Sequence, residues 1–140
     1  MTRTVRLDVP LAAAVLFDYL SDPRRRPQWQ SSLRAVADVR GAGGTGTRWT
    51  DVTVLGARPR LCVIAADRPR TWIESGRWAG LDAALRLDLL EYAPGRTRVS
   101  AAFRISGNGV FALAAPVLER LAGPAIRADL GRAVRLAARG

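Results

Sequence analysis

Val5, Leu7 and Val9 alternate with Arg6 and Asp8, and Pro10 follows at once. A period of two marks a strand with one buried face. Proline has no N–H for a ladder, so it stops the strand, and its fixed φ suits the start of a helix predicted over Leu11–Leu20. In that helix Ala12, Val15, Leu16 and Tyr19 fall on one side. Ser21-Asp22 then offers a cap to a second short helix with Pro23 at its first position; Pro27 limits its length and Trp29 ends it. A strand over Leu33–Val39 and a glycine-rich turn over 40–46 lead into the rest of the chain. No other stretch narrows the fold as much as this strand, helix, helix and glycine-rich return.

The middle of the chain reads as an antiparallel meander. Strands are expected near Thr47–Leu55, Arg58–Ala66, Arg70–Trp78, Asp82–Glu91 and Thr97–Ser106. Gly56-Ala57, Asp67-Arg68-Pro69, Ala79-Gly80 and Ala93-Pro94-Gly95 separate them with residues suited to turns. A long helical segment, Val110–Ala138, closes the chain, with a kink or a broken first half expected at Pro116 and Pro124. Arg120, Arg127, Asp129, Arg132 and Arg135 leave Val117, Leu118, Leu121, Ile126, Leu130 and Val134 to cover the sheet. The pattern suits several antiparallel sheets crossed by a helix.

At 140 residues the chain reads as one domain, residues 1–140. No apolar window is long enough for a membrane span, and no secretory leader is visible. One cysteine, Cys62, excludes an internal disulfide and agrees with a cytoplasmic location. The net charge is +10, and all 22 basic residues are arginine. Such a charge raises nucleic acid or an anionic membrane as partners. Only Arg24-Arg25-Arg26 forms a run, however, and no aromatic residue is interleaved with it to stack bases. The distribution argues against nucleic acid and for membrane contact that is at most peripheral.

Phe17, Asp22, Pro27, Trp29, Gly46-Thr47 and Gly95-Arg96-Thr97-Arg98-Val99, set in this order of elements, resemble the START-like (SRPBCC) superfamily, in its polyketide cyclase/dehydrase and lipid-transport branch. The resemblance covers nearly the whole chain. It implies an α+β helix-grip fold, a curved antiparallel sheet of about seven strands wrapped around the C-terminal helix, two short helices after the first strand, and a cavity between. It also places Trp29 near the cavity entrance.

Within that frame, alternation assigns faces. With Arg48 in water, Trp49, Asp51 and Thr53 face in; with Thr71 and Arg77 out, Trp72, Glu74 and Trp78 face in. Leu61, Val63 and Ala65 line the next wall, which turns Cys62 away, and Leu85, Leu87, Leu89 and Phe103 complete it, with Leu118 from the helix. The expected cavity is aromatic and leucine-rich and holds two carboxylates. Burial would raise their pKa values and suit them to proton transfer, with Glu74 as acid/base and Asp51 positioning a hydroxyl or water. They could equally sit at the mouth or pair with Arg48 or Arg58, and the tryptophans could simply fill the core.

The absence of histidine removes Ser-His and Cys-His mechanisms and the commonest metal ligand, and one cysteine makes no thiolate cluster for zinc. The glycines at 41–46 lack the Lys-Ser/Thr of a phosphate loop. No cofactor is expected. Three functions remain open: a binder of a hydrophobic small molecule, lipid or polyketide-like aromatic, acting as monomer or homodimer; a cofactor-free cyclase or dehydratase using Glu74 and Asp51; or, as the resemblance allows, an interaction module meeting RNA, the ribosome or a membrane through Arg24–Arg26 and the basic last helix.

Overall fold

The computed structural model describes residues 2–140. β1 (Arg3–Val9) leads into α1 (Ala13–Leu20), a 3-10 turn at Pro23–Arg25 and the one-turn α2 (Arg26–Trp29). Six strands follow: β2 (Leu33–Arg40), β3 (Arg48–Thr53), β4 (Arg60–Asp67), β5 (Thr71–Trp78), β6 (Leu81–Ala93) and β7 (Arg96–Gly107). The 28-residue α3 (Phe111–Ala138) ends the chain. The strands form one seven-stranded antiparallel sheet in the order β1-β7-β6-β5-β4-β3-β2. This is the α+β helix-grip arrangement expected from the sequence. No described helix is long and apolar enough to cross a membrane.

Local chemistry explains the start. Asp22 caps the 3-10 turn by accepting from the Arg24 N–H at 3.1 Å, with Pro23 at the first position. The N-terminus of α1 has no cap of its own, and Glu91 of β6 supplies one, accepting from the Ala13 N–H at 2.7 Å. Phe17, rather than Val15, is on the buried side of α1 and meets Trp72 edge-on at 6.3 Å.

The long helix departs from its expected form in two ways. It runs unbroken through Pro116 and Pro124. Each proline removes the hydrogen bond to the carbonyl four residues back, but Ala112 and Arg120 are exposed, so water can satisfy those oxygens. Its buried side matches the expected stripe only in part: Ile126, Leu130 and Val134 pack on the core. Val117 and Leu121 point to solvent, while Ala115, Glu119, Leu130, Ala133 and Ala137 are buried at helical spacing. Asp129, expected on the solvated side, is buried and accepts from the Ser31 N–H at 3.2 Å. Glu119 accepts from the Ile105 N–H at 2.8 Å and lies 3.4 Å from Arg3. Among the described residues β1 pairs β7 as far as Phe103, and two residues on Glu119 takes the Ile105 N–H. Two carboxylates thus pin α3, one to β7 and one to the loop after α2.

In β4 a bulge between Val63 and Ala65 shifts the alternation. Ala66, not Ala65, therefore joins the core.

Candidate ligand cavity

A cavity of about 490 Å3 lies between the inner face of the sheet and the first half of α3. β3 sends Asp51 and Thr53 into it, β4 Leu61, β5 Glu74 and Trp78, β6 Leu85, β7 Phe103, and α3 Leu118. Trp78 stands at its partly exposed edge, 6.3 Å from Phe111. Trp29, Trp49, Val63, Trp72 and Leu87 belong to the packed core beside the cavity and do not line it.

Two tryptophans have a second role. Residues two apart on a strand share a face, and both Trp49-x-Asp51 and Trp72-x-Glu74 use that spacing. The Trp49 indole N–H donates to Asp51 Oδ1 at 2.8 Å, and the Trp72 indole N–H donates to Glu74 Oε1 at 2.8 Å. Each carboxylate is thereby held at one oxygen by a rigid ring.

Arg26 completes the arrangement. The single turn of α2, set by Pro27, directs Arg26 inward, where it is only 3% exposed. Its guanidinium donates to both oxygens of Glu74, at 2.7 and 3.0 Å, and lies over the rings of Trp49 and Trp29 at 5.1 and 5.4 Å. The Arg24–Arg26 run is therefore not a uniform contact surface, because its third member is buried. Glu74 pairs with this arginine and not with Arg48 or Arg58.

The charges of Arg26, Glu74 and Asp51 cancel only when Asp51 is protonated. Burial pushes the Asp51 carboxyl up to about 6, offset in part by the Arg26 charge and the Trp49 hydrogen bond and reinforced by Glu74. Oδ1 is taken by Trp49, and Oδ2 has no hydrogen-bond partner in the protein. Arg26 Nε and Gln30 Oε1 are buried without a partner among the described residues, and both residues line the cavity. The cavity thus has a leucine and phenylalanine wall and one polar end offering a donor, an acceptor and a titratable carboxyl.

Sequence reasoning did not single out Arg26 or Gln30. The signal for Arg26 was indirect: two inward carboxylates on neighbouring strands call for a buried cation. Ile126, Ala122 and Ile105 also line the wall.

A sheet gripping a long helix over an internal cavity defines the START-like class. The chain belongs to the polyketide cyclase/dehydrase and lipid transport family, whose pattern matches residues 1–138. No curated protein matches the sequence. Among solved structures it is similar to the ZhuI aromatase/cyclase of a Streptomyces species, at 14% identity and a TM-score of 0.80, covering 99% of this chain and 95% of that one. It is also similar to a START superfamily protein of Mycobacterium smegmatis, at 14% identity and TM-score 0.76, covering 99% and 95%. Norcoclaurine synthase of Thalictrum flavum follows, at 14% and 0.73, covering 100% and 88%. At such identities the likeness establishes the fold.

Proposed function

We propose that the protein binds a hydrophobic small molecule, a lipid or a polyketide-like aromatic, in the cavity beneath α3. One observation carries this reading: a space of about 490 Å3 is walled by Leu61, Leu85, Phe103, Leu118 and Ile126 and closed at one end by Arg26, Gln30 and Asp51. That volume lies in the usual range for small-molecule sites, which are mostly apolar with a few converging polar groups. A flat or chain-like body would lie along the wall, and a hydroxyl or carbonyl head would meet the unpartnered atoms of Arg26, Gln30 and Asp51.

The test is a tryptophan-fluorescence titration with a hydroxylated anthraquinone and, separately, a sixteen-carbon fatty acid. Saturable one-to-one binding of either, lost in Ala122→Phe, which fills the cavity from α3, supports the reading. Binding that survives the filled cavity, or no saturable binding of either probe, overturns it.

Asp51 favours a second reading, proton transfer to or from the bound molecule, as a cyclase or dehydratase needs. A carboxyl that titrates near 6 can take a proton from an activated carbon or hydroxyl and return it at a later step. The role falls to Asp51 rather than Glu74, whose two oxygens already accept three hydrogen bonds and which acts as the anchor for Arg26. On this reading Asp51→Asn keeps ligand affinity and loses conversion of a poly-β-ketone substrate. Equal conversion by the variant removes it.

A further inference from the structure

The outer face of the sheet carries a trough of about 840 Å3 that shares Leu61, Gly76, Arg77, Ala83, Ala84 and Arg104 with the cavity lining but none of the polar group Arg26, Gln30, Asp51 and Glu74. Its floor is one cross-strand row in direct register: Arg48 of β3, Cys62 of β4, Ser75 of β5, Ala84 of β6 and Arg104 of β7. Three small side chains lie between two arginines. At about 4.8 Å between strands, the row spans about 19 Å. Beside it Arg40 stands directly opposite Arg48, and Arg60 directly opposite Arg77.

Like charges directly opposite on neighbouring strands are destabilising. Elsewhere Arg86 pairs with Asp88, Arg98 with Asp8 and Arg68 with Asp18. Arginines without a carboxylate, such as Arg6, Arg34 and Arg70, do not face another arginine across strands as Arg40 and Arg48, or Arg60 and Arg77, do. Within the trough only Arg77 has a carboxylate partner, Asp82 at 2.8 Å. Among the described residues, Arg40, Arg48, Arg60 and Arg104 have no carboxylate within ion-pair distance. Arg40 lies on the edge strand β2, where charge guards against edge-to-edge pairing. Arg48, Arg60 and Arg104 lie on inner strands and have no such reason. Departures from local rules of this kind concentrate at functional sites.

We propose that the trough is a docking site for an extended, acidic segment of a partner protein. Unpaired guanidiniums at both ends suit carboxylates, which they bind in a bidentate way. About six extended residues would cover the row at about 3.3 Å each. Asp38, which also lines the trough, can accept from peptide N–H groups, donors that a phosphodiester backbone lacks. The row presents no aromatic side chain on which a base could stack.

The experiment uses a fluorescein-labelled hexaglutamate peptide and anisotropy at low salt. The triple variant Arg48→Ser, Arg60→Thr, Arg104→Ser is expected to weaken binding at least tenfold. A charge-matched control, Arg24→Ser, Arg120→Ser, Arg139→Ser, should change it less than threefold. Equal loss in both variants would mean diffuse attraction to a basic protein and would overturn the proposal. So would a single-stranded oligonucleotide of equal charge that competes better than the peptide in a trough-dependent way. Cys62, the chain's single cysteine, gives a readout on the unaltered protein. Saturating peptide should slow its alkylation by iodoacetamide severalfold, and an unchanged rate would overturn the proposal on its own.

Discussion

The two halves of α3 treat the same sheet in opposite ways. In the second half Leu130, Ala133 and Ala137 are buried, and the helix packs closely on β1, β7 and α1. In the first half the inward residues are Leu118 and Ala122, joined by Ile126 just past the midpoint, and the cavity lies beneath them. A shortage of apolar side chains does not explain the gap. Leu113 is 83% exposed, and Val110, Val117 and Leu121 also point to solvent. Across the cavity Leu55, in the turn between the lining residues Thr53 and Ala57, is 95% exposed. The first half carries enough large residues to fill the space and presents them on the wrong side for doing so. An open cavity is therefore written into the placement of side chains, with Ala122 facing in and Val117 and Leu121 facing out.

The largest test of this contrast is at the polar end, where closure depends on one ion pair. Arg26→Met leaves Glu74 buried without its cation, and breaking a buried pair in this way costs about 3–5 kcal/mol. Urea denaturation should show that loss. The double variant Arg26→Met, Glu74→Gln should recover most of it, because a glutamine still accepts from Trp72. A single-variant loss under about 1 kcal/mol would mean that water reaches the pair and that the end is open.

Asp51 comes next. Its carboxyl holds a proton more tightly when folded, near 6, than its ordinary 3.8. Its stabilising contribution is therefore complete below about pH 4 and is lost as pH rises through 6, by up to about 3 kcal/mol. Asp51→Asn removes this slope, so the variant should gain on the parent between pH 4 and 7 and be the more stable at pH 7.5. The other carboxylates are common to both proteins, so the difference between the two curves isolates this one. Parallel stability curves would mean that Asp51 is solvated.

The helix itself supplies a paired comparison. Ala133→Leu, at a position with no exposed area, should cost about 1–3 kcal/mol by overpacking. Ala122→Leu enters the cavity and should change stability by less than about 0.5 kcal/mol. Similar costs at both positions would erase the distinction between the halves.

The meander and the inward faces of β3 and β5 are legible from period-two alternation, which depends only on the pleat, whereas the helix-grip arrangement comes from the family resemblance. Three features are not, each for a physical reason. The bulge after Val63 inserts one residue that no pattern marks. Arg26 sits in a run of arginines that reads as solvated, and its partner Glu74 lies 48 residues further along the chain, where no local pattern reveals the pair. The buried face of α3 is hidden because apolar residues mark the exposed side of its first half. Hydrophobic periodicity finds the face that packs, and here Val117 and Leu121 point to solvent beside Leu118 and Ala122, which face the cavity.

Gly123, in the first half of α3, offers the smallest and most local test. A Cβ added there would meet only the Phe103 ring, at 3.7 Å, an ordinary contact. Within a helix interior alanine is better than glycine by about 0.5–1 kcal/mol, because less backbone freedom is lost on folding. Gly123→Ala should therefore raise the melting temperature by a few degrees. Were the first half of α3 seated as closely as the second, the same methyl would collide with the Phe103 ring and the sign would reverse. A destabilised Gly123→Ala protein would thus mean that α3 closes onto the sheet in solution and that the cavity opens only when a ligand holds it apart.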